Sequence, residues 1–386
     1  MRLSVIASTK PGYSLRRKDA LLFSGHEAGI CYMADNFEAI KNEKRSKTLG
    51  RIRGTVGSGH HSVAGHVSYC LLLEGIPKIM AMLINNEKDC NVSEKSARYT
   101  KMRTKALEKK IYEKWIKIFK DLIAKKYADL DDKTVTKLAQ ENARYFISVF
   151  TPATTMGYTV DLRQANYLIG WCDKMIAESE GTDDPFMIQL RPWVIKLSTM
   201  LKKRLNVDGL RDGKGREFTL FAKRPREEEV GGEMYCVNYY GTFSQLAQAQ
   251  RHRTLHYEMT IPNLDTCEFY IPPIIEDPAI REEYLADMEK LKGNFPQGML
   301  IKINERGAVE DFELKCHERR CGAAQREICI QTGKTLNKLV DGARKKKNTA
   351  VYEELSWYVG KTKCQMGHEC NRPCPLGAKH AFDRLI

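Results

Sequence analysis

Long hydrophobic runs are missing from this sequence. Its most apolar stretch, residues 68–76, is interrupted by Glu74, whereas a membrane-spanning helix needs about 20 apolar residues. The opening residues, MRLSVIASTKPG, are too briefly apolar for a signal peptide. We therefore expect neither a membrane span nor a secretory leader in these 386 residues.

Cysteine is sparse as well, with twelve scattered residues in the whole chain. That density excludes a small disulfide-stapled secreted scaffold, so we expect a reducing compartment and a cytoplasmic protein. One local group near the end, Cys364, Cys370 and Cys374 together with His368 or His380, could supply zinc ligands. Its spacing lacks the C-x2-C pair that is typical of structural zinc, so the sequence favours no metal site, with zinc as the alternative.

Recognised phosphate-loop and nucleic-acid motifs are also missing. The Gly-Lys-Thr triplets at 333–335 and 360–362 lack the earlier glycine of a Walker A loop, since Ile328 and Leu355 occupy that position. No zinc-finger, RRM or KH signature occurs, and aromatic residues do not alternate with the basic runs. Nucleic acid is therefore not the expected partner.

What the sequence does have is basic charge, with 63 Lys and Arg against 49 Asp and Glu, a net charge of +14. Solvated Lys-rich helix faces explain part of this excess. An anionic partner, such as small ligands that carry several phosphate groups, is the second explanation.

Hydrophobic spacing predicts both helices and strands. Leu107, Ile111 and Trp115 begin an apolar series with a three- or four-residue period, which predicts an amphipathic helix over 106–128. Further helices are predicted over 132–150 and 161–180, and strands over 68–73, 217–222, 234–240 and 299–303. This mixed order predicts an α+β fold.

The chain divides into two similar parts. Residues 202–229 combine Gly, Pro and dense charge around one short strand, so we predict a linker there, between regions 1–201 and 230–386. In each region a strand ends at a glycine (Gly75 or Gly241), and an apolar helix and a polar cluster follow. This parallel predicts an internal duplication.

Two short motifs carry candidate chemistry. Arg251-His252-Arg253 places two guanidinium groups beside an imidazole, which suits a pyrophosphate, although a solvated helix end has the same composition. Glu94, Ser96 and Arg98 lie on one side of an extended segment, where they could contact a pyrimidine edge and a phosphate. An exposed polar strand is the alternative there.

In their order along the chain, these motifs resemble those of the flavin-dependent thymidylate synthase family. The matching segments are Gly59-His60-His61-Ser62 with His66, Glu94 to Tyr99, Ala143-Arg144, Arg251 to Arg253, Asn304 to Arg306, Arg319, and Ala324 to Ile328. The first region has Asn86, Glu87 and Lys88 where the family has Arg-His-Arg, and Gly65 where it usually has Glu. In the second region Met259, Ile261 and Asn263 occupy the positions that match Glu94, Ser96 and Arg98. Each region thus keeps a different half of the pattern.

The resemblance implies two related synthase-like units, each with a mixed or antiparallel sheet and packed helices. It implies an enzyme that transfers one carbon to a pyrimidine deoxynucleotide, converting dUMP to dTMP with FAD, NADPH and methylenetetrahydrofolate. A flavin enzyme that hydroxymethylates a pyrimidine nucleotide is the first alternative. A non-catalytic basic protein that binds nucleic acid is the second.

The resemblance also implies roles for individual residues. Flavin would be held by His66, Arg251, His252, Arg253 and Asn304. The nucleotide would be held by Glu94, Ser96, Arg98, Tyr99, Arg144 and Arg319, with Ser96, Arg98 and Arg251 acting in catalysis. Because the family is homotetrameric, a chain with two such units would form a homodimer that reproduces a four-unit particle.

Overall fold

The computed structural model describes residues 1–9, 16–34, 36–96, 100–102, 104, 106–213, 215–370 and 374–386. The α-helices are α1 (Arg17–Tyr32), α2 (Phe37–Lys41), α3 (Arg45–Gly57), α4 (Lys78–Asn85), α5 (Ala106–Lys126), α6 (Asp132–Ala143), α7 (Leu162–Glu178), α8 (Pro185–Leu205), α9 (Phe243–Ala249), α10 (Pro278–Leu291), α11 (Val309–Arg319), α12 (Arg326–Lys346) and α13 (Thr349–Ser356). The strands are β1 (Arg2–Ser8), β2 (Ser68–Ile76), β3 (Cys90–Glu94), β4 (Thr154–Asp161), β5 (Met234–Thr242), β6 (His256–Met259) and β7 (Leu300–Ala308). This mixture confirms the predicted α+β class.

The chain forms two compact units that interleave in sequence. The first unit consists of residues 1–95 and 152–218, and the second of residues 96–151 and 219–386. Residues 96–151, which belong to the predicted first region, therefore pack within the second unit. The predicted division into regions 1–201 and 230–386, with a linker over 202–229, stays a prediction.

The first unit is built on a four-stranded antiparallel sheet in the order β1-β2-β4-β3. Tyr69, Leu71 and Leu73 alternate along β2 with less buried neighbours and are each at most 2% exposed. This period of two buries one face of the strand in the core, as the apolar pattern predicts.

The second unit contains a three-stranded antiparallel sheet in the order β5-β7-β6. The predicted strand at 217–222 is wrong in extent, because only Phe221 forms a bridge, parallel to Met259. Pro225 follows closely, and a proline has no N–H to donate to a ladder, so the pairing cannot continue through it.

Helix α5 supplies much of the apolar core of the second unit. The Trp115 ring stacks on Phe146 and meets Tyr284 edge-on, with ring centroids 5.3 and 5.0 Å apart, and its Nε1 donates to Asp287 at 3.0 Å. The helix predicted over 132–150 ends at Ala143, followed by a 3₁₀ turn over Arg144–Phe146. It ends early because residues 147 and 149 hydrogen-bond the backbone at 297 and 295.

Both sheets repeat one connection pattern. In each, a strand is followed by a helix and a second strand, and a third strand then pairs between those two: β4 between β2 and β3, and β7 between β5 and β6. A duplication predicts such a repeat, and the duplication itself remains a prediction.

No helix within the described part of the chain is long and apolar enough to cross a membrane.

Candidate active site

Arg144 is a buried cation of the second unit. It follows α6 at the start of the 3₁₀ turn, and only 7% of its surface is exposed. Its Nη2 donates to Gln325 Oε1, whereas its buried Nε has no hydrogen-bond partner among the residues the structure describes. Because the amide that holds this guanidinium is neutral, it does not offset the positive charge as a carboxylate would. The guanidinium is therefore suited to an anionic ligand.

Gln325 belongs to a closed polar network that fixes its orientation. Its Nε2 donates to the Tyr145 hydroxyl at 2.9 Å and to Glu327 Oε2 at 2.6 Å. The same carboxylate oxygen accepts from Tyr145 at 2.5 Å and from Thr242 Oγ1 at 3.0 Å. Burial raises the pKa of Glu327 even though these hydrogen bonds and the charge of Arg144 oppose it. The network therefore orders the amide that holds Arg144.

His252 and Arg319 form a second charged group in the same unit. Arg319 Nε donates to His252 Nε2 at 2.7 Å, and His252 is 9% exposed. Burial, with the charges of Arg319 and Lys315, lowers the pKa of His252 to about 2. The imidazole is therefore a neutral acceptor that orients Arg319 rather than a second cation.

A buried ion pair lies behind this group. Lys315 Nζ donates to Glu305 Oε2 at 2.6 Å, and their side chains are 1% and 0% exposed. The hydroxyls of Tyr235 and Tyr239 donate to the two oxygens of Glu305 at 3.0 and 2.8 Å. Because Lys315 and Arg319 lie four residues apart on α11, this ion pair fixes the helix that carries Arg319.

The remaining predicted residues of the second unit differ in accessibility. Arg251 and Arg253 are half-buried, just after α9. Asn304 on β7 is only 5% exposed; its Nδ2 donates to Asn238 Oδ1 at 3.1 Å and its Oδ1 accepts from Arg306 at 2.9 Å. Both ends of the Asn304 amide are thus hydrogen-bonded within the sheet, and its predicted contact with flavin stays a prediction.

In the first unit, the carboxylate of Glu94 is paired. Its side chain is 2% exposed and accepts from Lys78 Nζ at 2.8 Å. His66 is exposed at the end of the 3₁₀ helix His61–His66. A side chain added at Gly65 would begin 3.5 Å from Asp161 Oδ2. The predicted roles of Glu94 and His66 stay predictions.

The segment after β3 is described only in part. The Ser96 carbonyl accepts from Thr100 Oγ1 at 2.8 Å, whereas Arg98 and Tyr99 lie outside the described residues. Their predicted contacts with the nucleotide stay predictions.

The Cys-rich tail was the alternative metal site. Within the parts of the tail that the structure describes, Cys364, Cys370, Cys374 and His368 do not form a group of three or more residues placed to hold a metal ion. Cys374 Sγ instead lies 3.1 Å from the position a Cβ would take at Gly322.

Sequence reasoning missed the residues that support the arginines. Gln325 and Glu327 belong to the motif Ala324 to Ile328, which indicated that this segment matters for the site. No role was inferred for either residue. Nothing in the local pattern pairs Glu305 with Lys315, because strand and helix periods do not identify a cross-element partner.

Known proteins resemble this chain over part of its length. Residues 23–180 match the family model described as thymidylate synthase complementing protein. No curated protein matches the sequence. The solved UMP/dUMP methylase PolB from Streptomyces cacaoi, bound with 5-Br dUMP, is 14% identical and aligns over 53% of this chain and 90% of its own, with a TM-score of 0.34. The flavin-dependent thymidylate synthase ThyX from Helicobacter pylori, complexed with FAD and dUMP, is also 14% identical, over 53% of this chain and 100% of its own, with a TM-score of 0.29.

The family model begins within α1 and ends just beyond α7, so it includes β2, β3 and β4 together with α5 and α6. It thus covers Glu94, Ser96 and Arg144, three of the residues on which the predicted resemblance rests. The match over residues 23–180 is to the family that the motifs predicted.

Proposed function

We propose that this protein is a flavin-dependent enzyme that transfers a one-carbon unit to a pyrimidine deoxynucleotide, converting dUMP to dTMP. FAD would be its cofactor, and methylenetetrahydrofolate and NADPH its co-substrates. The family match supports the reaction class. The observation that carries the assignment to this chain is Arg144, a buried guanidinium that Gln325 orients and whose Nε has no hydrogen-bond partner among the described residues.

Arg144 and Arg319 are suited to the nucleotide. Gln325 and His252, which are both neutral, orient the two guanidinium groups, and each guanidinium group can donate hydrogen bonds to a phosphate. Such preorganised cations would hold the pyrimidine in a fixed position and lower the entropy cost of reaction. The predicted residues Ser96 and Arg98 would complete the contacts.

The residues after α9 are suited to the cofactor. Arg251 and Arg253 are half-buried cations, which fits the pyrophosphate of FAD, and His252 between them is fixed by Arg319. Bound flavin would carry the reducing equivalents and relay the one-carbon unit. The chain itself would bind and orient the ligands.

The test of the reaction is mass spectrometry of products formed from dUMP and from dCMP, with NADPH and methylenetetrahydrofolate. We expect dTMP from dUMP. A product heavier by a hydroxymethyl group would replace the proposal with the hydroxymethylating alternative, and no product with either nucleotide would contradict both.

The test of the site is Arg144→Gln. Loss of a charge-assisted contact costs about 1.5–3 kcal/mol, so affinity for a dUMP analogue should fall by about one to two orders of magnitude while flavin stays bound. Lys133→Gln, the same change at an exposed position of α6, is the matched control and should bind normally. Equal affinity in the two variants would refute the role of Arg144.

A further inference from the structure

A cavity of about 260 Å³ lies in the second unit beside β6 and β7. One wall is the segment 222–226, which the backbone holds against β6: Ala222 N donates to Met259 O at 2.9 Å, and Met259 N donates to Leu220 O at 2.7 Å. Arg144, His252 and Arg319 are not among the lining residues. The cavity is therefore separate from the nucleotide contacts proposed above, although Asn304, a predicted flavin contact, lies in its floor.

The cavity is lined by an excess of positive charge. Its four cationic side chains face a single carboxylate, Glu258, for a net charge of +3; the cations are Lys223, Arg224, Arg226 and Lys302. Glu258 is already bound by two guanidinium groups, from Arg226 at 3.1 and 2.7 Å and from Arg306 at 2.7 Å. Although burial opposes it, these contacts hold the pKa of Glu258 below its usual value.

Two of these cations remain for a ligand. Arg224 and Lys302 are exposed at the rim, and neither forms an ion pair within the described part of the chain. Glu228, the acid whose charge reaches Lys302, is bound by Lys338. An incoming anion therefore does not have to displace an internal partner from either side chain.

The floor of the cavity is rigid. Asn304 Nδ2 donates to Asn238 Oδ1 at 3.1 Å, and Asn238 Nδ2 donates to the Arg226 carbonyl at 2.9 Å. Arg306 joins this network through Asn304 Oδ1 at 2.9 Å. The polar atoms of the floor are already hydrogen-bonded to one another, so ligand binding would have to order only the side chains at the rim. This lowers the entropy cost of binding.

We propose that this cavity binds a phosphate dianion, free or esterified, with Arg224 and Lys302 as its direct ligands. A guanidinium fork matches two phosphate oxygens, and an ammonium group adds a compact point charge. A dianion offsets more of the net +3 than a monoanion does. The hydroxyl of Thr260 at the rim provides a further donor. The inference does not depend on the proposed reaction.

The experiment is calorimetric titration of the full chain with glycerol 3-phosphate, inorganic phosphate and methyl sulfate, a tetrahedral monoanion. We expect both phosphates to bind and methyl sulfate to bind more weakly. The affinity for each phosphate should fall as the pH is lowered from about 8 to about 5, because the dianion of each is protonated within that range. The tighter of the two phosphates identifies whether the site takes the free ion or an ester.

Variants localise the binding. Arg224→Gln and Lys302→Gln should each weaken it about tenfold. Lys334→Gln, the same change at an exposed position of α12, and Arg144→Gln should leave it unchanged. The proposal is overturned if no phosphate binds, if the two rim variants bind like wild type, or if Arg144→Gln alone abolishes binding. Flavin content and dUMP turnover, measured separately, report on the proposed reaction and not on this cavity.

Discussion

The buried imidazole of His252 predicts a measurable pH dependence of stability. Burial and the neighbouring charges of Arg319 and Lys315 lower its pKa to about 2, and Arg319 donates to its Nε2 at 2.7 Å. In the unfolded chain the same imidazole titrates near its ordinary value of about 6.5. Between these two values the unfolded state binds a proton that the folded state does not.

The sign and the magnitude follow from this difference. Because the unfolded state binds more protons, the free energy of unfolding rises with pH across this window and falls as the solution is acidified below about 6.5. From pH 8 to pH 5.5 the loss attributable to His252 is about 1.4 kcal/mol. It hardly depends on the folded pKa as long as that pKa stays well below 5.5.

Other groups titrate in the same range, so a difference measurement is needed. Burial and the charge of Glu354 raise the pKa of Glu313 to about 7, for example, which destabilises the folded state as the pH rises toward neutrality. Such contributions are common to wild type and to His252→Gln, a variant that keeps an acceptor of similar reach for Arg319. Only the His252 contribution remains in the difference.

The assay is urea unfolding of both proteins at pH 8 and pH 5.5, followed by circular dichroism. Whatever the substitution costs at pH 8, the wild-type advantage should shrink by about 1.4 kcal/mol at pH 5.5. A difference that stays constant within about 0.4 kcal/mol would refute the reasoning, because His252 would then titrate alike in both states.

Three further outcomes are expected. Lys315→Met should cost about 3–5 kcal/mol in urea unfolding because it leaves Glu305 buried and unpaired, and adding Glu305→Gln should recover much of the loss; a cost below about 1 kcal/mol for the single variant would count against the ion pair. Arg253→Ala should weaken flavin retention by about one to two orders of magnitude, measured by flavin absorbance after dialysis, and undiminished retention would argue against its role. Light scattering should give a homodimer of about 88 kDa, twice the chain mass of 44.2 kDa, and a clean monomer would contradict the predicted assembly.

The sequence was sufficient where a signal is local. The period that places Ile111 and Trp115 on one helix face predicts α5, which the structure has over Ala106–Lys126. The order of short motifs predicted the family whose model matches residues 23–180, without any structural information. Arg144 was selected in this way, as part of the motif Ala143-Arg144, and its role stays a prediction.

What the sequence could not predict depends on partners far along the chain. The helix predicted to reach residue 150 ends at Ala143, because the backbone of residues 147–149 pairs with residues 295–297. Lys78 forms an ion pair with the carboxylate of Glu94, although the two residues are on different elements and no sequence pattern connects them. Periodicity identifies a buried face but not the residue that covers it.

The interleaved units have a consequence for synthesis on the ribosome. Helix α5 buries Trp115 and Phe119 against Tyr284 of α10, and Trp115 donates to Asp287 on the same helix. When α5 emerges, these partners have not been made. At about 5–20 residues per second the aromatic face of α5 must wait about 10–30 s for them.

During this delay the first unit can fold before the second unit is complete. Residues 152–218 return to the first unit, so that unit can complete its sheet while α5 and α6 are still without their core. Until then α5 and α6, the two helices between β3 and β4, expose apolar surface although the first unit can already be folded. Chaperones bind such surface. The nascent chain should therefore be most prone to aggregation after residue 218 and before residue 291, where α10 ends.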